Sequence, residues 1–137
     1  MNPQPEPPLL LFFDGACPVC AREVSGYLRR DGGHHLQGVD ISSADFDPAR
    51  WGRSGAEFDA RMHALDAAGR WYLGVDAFVA IWQLLPGRHW SWAARLLKVA
   101  PVRWLAQAGY HFFARHRHLL KRRQCDTACN KNNTPSA

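Results

Sequence analysis

Two cysteines separated by two residues are the clearest chemical feature of this 137-residue chain. Cys17 and Cys20 enclose Pro18 and Val19. In thiol-disulfide exchange one thiolate attacks a disulfide, and a second nearby thiol resolves the mixed disulfide that results. The spacing of the two cysteines therefore predicts thiol-disulfide chemistry.

Apolar residues at helical spacing follow the pair, so we expect a helix that begins at the cysteines. The first turn of a helix offers unpaired backbone N–H groups and the positive end of the helix dipole, and both favour a thiolate. We predict that Cys17 is the more exposed thiol and attacks, and that Cys20, one turn further on, resolves. Pro18 suits the first turn, where its missing N–H is not needed, and would hold the two sulfurs in place.

A second pair, Cys125 and Cys129, follows the basic run Lys121-Arg122-Arg123. The nearby positive charge favours thiolate, so this pair could be a second redox relay, or two tail thiols without a role. Four thiolates could instead hold zinc, which would make the chain a non-catalytic interaction module. The strand and helix predicted around the first pair favour the redox hypothesis over a zinc ribbon.

We expect a strand just before the first cysteine pair. Residues 9–13 form a continuous apolar run that ends at Asp14-Gly15, as is typical of a central strand followed by a turn. Residues 35–41 alternate apolar and polar side chains and predict a second strand. The first pair then lies at the strand-to-helix junction of a strand-helix-strand unit.

The remaining elements complete a recognisable order. Residues 42–60 predict a long loop with short helical turns, Gly69 marks the turn of a hairpin, and residues 75–85 predict a helix. Two further helices are expected on either side of Pro101. This order predicts an α/β, thioredoxin-like fold with a four-stranded mixed sheet, flanking helices and a C-terminal helical extension. The expected parts are a Pro-rich leader outside the fold (1–8), a core (9–87), a helical extension (88–124) and a cysteine-containing tail (125–137).

The segment from Phe12 to Cys20, with its Asp-Gly-x-Cys-Pro-x-Cys string, resembles the DCC family of thiol-disulfide oxidoreductases. The resemblance extends more weakly through the Gly69 hairpin and the helix near Asp76 to the Arg-rich end, over about residues 9–129. It implies a thioredoxin-like fold and a redox role, with Asp14, Cys17 and Cys20 as the site. Asp14 would move a proton or anchor the loop; an Asp before Gly15 is also typical of a capped turn.

One departure concerns substrate docking. Proteins of the thioredoxin type usually carry a cis-proline just before the third strand, facing the cysteines. Here that position reads Ala60-Arg61-Met62 and has no proline. The departure indicates that the pocket does not dock protein disulfides in the usual way.

The last third of the chain interleaves large apolar side chains with basic ones. Trp92, Leu96, Trp104 and Leu105 alternate with arginines and lysines, as expected for amphipathic helices. We expect most of them to pack on the core. The alternative is a membrane-surface adaptor, in which tryptophans and cations rest on an anionic bilayer.

The other function classes have little support in the sequence. Phosphate-binding, nucleophile-elbow and RNA-binding motifs are absent, so we expect no cofactor, no metal and no nucleic-acid partner. A signal peptide and a membrane span are not visible, which predicts a cytoplasmic protein. The expected substrate is a disulfide-containing protein or a small thiol or disulfide, and the expected activity is that of an oxidoreductase.

Overall fold

The structure, a computed structural model, describes residues 4–131, with side chains described over residues 4–116. Its regular elements follow the predicted order. The strands are β1 (Leu9–Phe13), β2 (Leu36–Asp40), β3 (His63–Leu65) and β4 (Trp71–Leu73). The helices are α1 (Pro18–Asp31), α2 (Gly55–Ala60), α3 (Val75–Leu84), α4 (Arg88–Lys98) and α5 (Ala100–Lys131), with a short 3-10 turn at Pro48–Trp51.

The four strands form one mixed sheet in the order β2-β1-β3-β4. β1 pairs in parallel with β2 and antiparallel with β3. β4 pairs antiparallel with β3, as the second strand of the hairpin, and forms one edge of the sheet. The predicted interior position of β1 and the edge position of the Gly69 hairpin are confirmed. The chain therefore has the predicted α/β, thioredoxin-like fold.

The two faces of β1 explain why its sequence is continuously apolar. Leu9 and Leu11 are fully buried in the main core with residues of α1 and α3. Phe12 points to the opposite face, where its ring lies 4.9 Å from Trp51 and 5.1 Å from Phe58. Because apolar side chains pack against both faces of β1, a polar residue on either face would lose the free energy of apolar burial.

α1 has clear boundaries. Cys17 is the residue before its first turn and Pro18 is the first helical residue, as predicted. The helix ends at Gly32, whose φ of 66° is the left-handed conformation that glycine adopts without strain. The cysteine pair therefore lies at the start of α1, a few residues after the end of β1.

The leader was predicted to lie outside the fold, and for its described residues this is wrong. The Ala67 N–H donates to the Glu6 carbonyl at 3.0 Å, and the Arg70 guanidinium donates to the Gln4 carbonyl at 3.2 Å. Pro5 is buried. Prolines lack N–H donors but keep their carbonyls, so a Pro-rich segment can still pack against the end of a hairpin and accept from it.

The two C-terminal helices separate at Val99 rather than at Pro101. Pro101 lies in the first turn of α5, where a proline costs no hydrogen bond. α4 packs on α3, and α5 packs on both. None of the described helices is both long and apolar enough to cross a membrane.

The expectation that the large apolar side chains of α4 and α5 mostly face the core is wrong for several of them. Trp92 is 67% exposed and Trp104 is 69% exposed, and Leu96, Leu105 and Phe112 are exposed as well. Among the described side chains of α4 and α5, residues 88–116, Ala94 alone is fully buried, so much of the apolar surface in this range is exposed.

Candidate active site

Asp14 organises the turn between β1 and α1. Its Oδ1 accepts from the Ala16 N–H at 3.0 Å, and its carbonyl accepts from the Cys17 N–H at 3.1 Å. The side chain is only 1% exposed. Asp14 thus caps the turn, as one of its two predicted roles required.

Gly15 and Asp40 hold the next part of the turn. Asp40 Oδ1 accepts from the Gly15 N–H at 2.8 Å, and also from the backbone and hydroxyl of Ser42. A Cβ at residue 15 would lie 2.1 Å from Asp40 Oδ2, so only glycine fits. Burial alone would raise the pKa of Asp40, but the hydrogen bonds from Ser42 and Gly15 outweigh it and lower that pKa.

Asp40 was not identified from the sequence as part of the site. A signal for it existed, because β2 runs parallel to β1 and Asp40 is the register partner of Phe13. The carboxyl ends of neighbouring parallel strands meet at one edge of the sheet, which is where the cysteine turn begins.

The structure places Cys17 and Cys20 at the start of α1, with Cys17 before its first residue and Cys20 in its first turn. The predicted order of exposure is wrong: Cys17 is 0% exposed, whereas Cys20 is half-buried. Cys17 is the last residue of the turn that begins at Asp14, and the Asp14 carbonyl accepts from its N–H at 3.1 Å. The start of a helix favours a thiolate there but does not by itself place the sulfur in solvent.

A cavity of about 300 Å³ opens beside Cys20, and Cys17 is absent from its wall. Phe13 and Ile41, at the ends of β1 and β2, form part of it. α5 closes the cavity with Phe113 and Ala114. Most of the wall is apolar, so the first turn of α1, which carries Cys20, borders a small hydrophobic chamber.

The segment before β3 forms the opposite side of this chamber through Arg61 and Met62. The Met62 N–H donates to the Tyr110 hydroxyl of α5, and the Arg61 carbonyl accepts from His63 Nδ1 at 2.9 Å. Burial lowers the pKa of His63, although its bond to Arg61 opposes that shift. At the position where proteins of the thioredoxin type usually carry a cis-proline, the backbone of this chain is hydrogen-bonded to Tyr110 of α5. No feature of the sequence near Met62 pointed to Tyr110, which lies 48 residues away.

Two predicted site residues, Cys125 and Cys129, lie outside the residues whose side chains are described. The second redox pair and the four-thiolate zinc site therefore remain predictions. Within residues 4–116, no group of three or more His, Cys, Asp or Glu side chains could hold a metal ion.

Comparison with known proteins gives two matches. The family model described as DCC1-like thiol-disulfide oxidoreductase matches residues 11–123, which include β1, the cysteine pair and the sheet. An uncharacterized chloroplastic protein of Arabidopsis thaliana is 31% identical over 111 residues, which cover 78% of this chain and 50% of that protein. The chain thus spans about half the length of this curated relative. No solved structure matches.

Proposed function

The chain belongs to the DCC1-like thiol-disulfide oxidoreductase family, and we propose that Cys17 and Cys20 are its redox centre. In the reduced state the pair transfers two electrons to a disulfide and becomes a disulfide itself. An opposite transfer from a dithiol substrate restores it. The observation that supports this proposal is the placement of two cysteines at the start of α1, with Cys20 in the wall of an apolar chamber.

The two thiols differ in ways that bear on their roles. Cys17, at the start of the helix, has the position that favours a thiolate, and helix position alone would assign attack to Cys17 and resolution to Cys20. Cys20 is the sulfur that reaches the chamber. The pair works as one couple under either order of attack, because each thiol can resolve the mixed disulfide of the other.

Asp14 is proposed to take and return the proton of a reacting thiol. Its carboxylate is buried and forms part of the chamber wall. Asp14→Asn separates this role from turn capping, because an amide oxygen can still accept from the Ala16 N–H. A proton-transfer role predicts a slower reaction with an altered pH profile in Asp14→Asn. An unchanged pH profile would contradict proton transfer and would indicate that Asp14 acts only as the cap of the turn.

The proposed function is tested by mixing pre-reduced protein, freed of added thiol, with a small disulfide and measuring the substrate thiols that are released. The parent should release both thiols of the substrate, whereas Cys17→Ser and Cys20→Ser should each stop at the mixed disulfide and release only one. The double variant Cys125→Ser/Cys129→Ser is the matched control and should behave as the parent does. Full activity in either single variant of the first pair would contradict the proposal. One zinc per chain that is lost in the control variant would favour the interaction module instead.

A second candidate role, contact with an anionic membrane surface, is favoured by the exposed face of α4. Trp92, Arg95, Leu96 and Val99 lie on this face at helical spacing, and all four are exposed. Residues 77–125 carry nine Lys and Arg and no Asp or Glu. Exposed tryptophan and leucine beside an excess of positive charge suit the headgroup region of an anionic bilayer.

Vesicle co-sedimentation tests this role. The chain should bind vesicles that contain phosphatidylserine, should bind phosphatidylcholine vesicles much less, and should be released by salt. Trp92→Ser/Leu96→Ser should weaken binding by about tenfold, because it removes most of the apolar contact of α4. Equal binding to both lipids, or no effect of the double substitution, would contradict membrane contact through α4.

A further inference from the structure

The chamber beside Cys20 is shaped for a small ligand rather than for a protein segment. Its volume of about 300 Å³ is at the lower end of the range for small-molecule sites, about 300–1,000 Å³. Phe58, Phe78 and Phe113 contribute aromatic rings to the wall. Aromatic walls favour a flat ligand that can pack against the ring faces.

A backbone N–H group that an extended peptide would need for binding, that of Met62, is already hydrogen-bonded within the chain. An extended segment binds beside a strand through backbone hydrogen bonds. At this edge of the chamber the Met62 N–H donates to the Tyr110 hydroxyl, and Phe113 and Ala114 of α5 cover the same side. A protein disulfide would have to displace α5, whereas a molecule that fits in the chamber would not.

The charges around the chamber limit the ligand further. Among the described residues of the wall, two carry carboxylates, Asp14 and Glu23, and one carries a guanidinium, Arg61. Tyr110 contributes a hydroxyl, and the remaining residues of this described part of the wall are uncharged. A ligand with two negative charges would meet more like than opposite charge in an apolar setting, where repulsion is strong.

Resting on the proposed function, we infer that the substrate is a small, flat, uncharged disulfide that enters this chamber and reacts first at Cys20. Cys20 is the cysteine on the chamber wall, while Cys17 has no exposed surface. The order of attack is then the reverse of the one expected from helix position alone. Access to the sulfur decides the order, because exchange rates depend on it as well as on thiolate fraction.

The reaction balances as follows. The Cys20 thiolate attacks one sulfur of the substrate, the substrate's S–S bond breaks, and one substrate thiolate leaves. Cys17 then attacks the Cys20 sulfur of the mixed disulfide and releases the second substrate thiolate. Two electrons pass from the cysteine pair to the substrate, and the two protons of the pair end on the two released thiols.

The first experiment compares two aromatic disulfides of matched size and shape, neutral dithiobis(benzamide) and dianionic dithiobis(benzoate), with the full chain in the Cys125→Ser/Cys129→Ser background. Each rate is divided by the rate with the same protein unfolded in urea, which removes the intrinsic reactivity of the reagent. The normalised rate should be higher for the neutral reagent by about tenfold or more. In the same background, Cys17→Ser should form the mixed disulfide at close to the parent rate, and Cys20→Ser should be slower by about tenfold.

A second pair of variants tests the chamber itself. Ala114→Phe places a ring in the cavity, and the normalised rate with the neutral reagent should fall by about fivefold or more. Ala108→Phe makes the same change at an exposed position of α5 and should leave the rate unchanged. Both variants should retain the parent's redox midpoint, which shows that the cysteine pair itself is intact.

The outcomes separate the two proposals. Equal normalised rates for the two reagents, a faster Cys20→Ser than Cys17→Ser, or equal rates in Ala114→Phe and Ala108→Phe would overturn the substrate and the order of attack, while a reversible Cys17–Cys20 disulfide would still stand. Failure of the two cysteines to form any disulfide with either reagent would overturn the proposed function itself.

Discussion

Replacing Gly15 by alanine should loosen the turn that carries Cys17. A Cβ at this position would lie 2.1 Å from Asp40 Oδ2 and 2.5 Å from Asp40 Cγ. Asp40 cannot simply turn away, because its Oδ1 accepts three hydrogen bonds, from the Gly15 N–H at 2.8 Å, the Ser42 N–H at 2.8 Å and the Ser42 hydroxyl at 2.6 Å. Either the turn or the Asp40 side chain must move.

The cost has two parts. Overpacking by one methyl group typically costs about 1–3 kcal/mol. Loss of the bond between the Gly15 amide and the carboxylate adds about 1 kcal/mol, which is less than is usual for a charged acceptor because Asp40 is half-exposed. We therefore expect Gly15→Ala to lower the free energy of unfolding by about 2–4 kcal/mol.

Urea unfolding followed by circular dichroism measures this change. Gly55→Ala is the matched control, because a Cβ there has nothing within 4 Å, and it should change stability by less than about 0.5 kcal/mol. In Gly15→Ala/Asp40→Ala the clash is gone, so the double variant should be more stable than the sum of the single changes predicts, by about 1 kcal/mol or more. Additive effects, or a Gly15→Ala no worse than the control, would refute the role assigned to Asp40.

Two further predictions concern pH. Burial would raise the pKa of Asp66, but hydrogen bonds from Arg70, Glu6 and Tyr72 lower it; its contribution to stability is therefore complete above the unfolded pKa of about 3.9 and is lost as pH falls through the folded pKa. Asp66→Asn should lower the free energy of unfolding at neutral pH by about 2–3 kcal/mol and should reduce its dependence on pH in the acid range. Urea midpoints measured from pH 7 to pH 2 test both effects. The same pH dependence in the variant and the parent would contradict this role of Asp66. Burial lowers the pKa of His63, so the unfolded chain takes up a proton first and stability should fall as pH drops below about 6.5. His63→Phe should remove that decrease, and a slope equal to that of the parent between pH 7 and pH 5 would show that another group causes it.

The sequence was sufficient to predict the sheet and the position of the cysteine pair. The apolar run of β1, the glycine of the hairpin and the proline of α1 are local signals, and each reports directly on its own element. The helix boundary between α4 and α5 was placed two residues late, because Pro101 was interpreted as a break although a first turn accepts proline.

What the sequence did not predict depends on contacts between distant segments. Cys17 is fully buried in the folded chain, which the local pattern around it does not indicate. One wall of the chamber comes from α5, which contacts Met62 through the Tyr110 hydroxyl. The exposure of Trp92 and Trp104 was missed for a related reason. An amphipathic pattern shows that a helix has an apolar face, but not how much of that face the rest of the chain covers.

The central claim is that Cys17 and Cys20 form a reversible dithiol-disulfide couple. The direct measurement is a redox titration of the full chain in dithiothreitol buffers, with alkylation of free thiols and mass-spectrometric mapping of the disulfides at each potential. We expect one two-electron transition in which a Cys17–Cys20 bond appears and disappears reversibly, with the same midpoint in Cys125→Ser/Cys129→Ser. Free thiols at both Cys17 and Cys20 under every condition, or a bond that forms only between these cysteines and Cys125 or Cys129, would contradict the account.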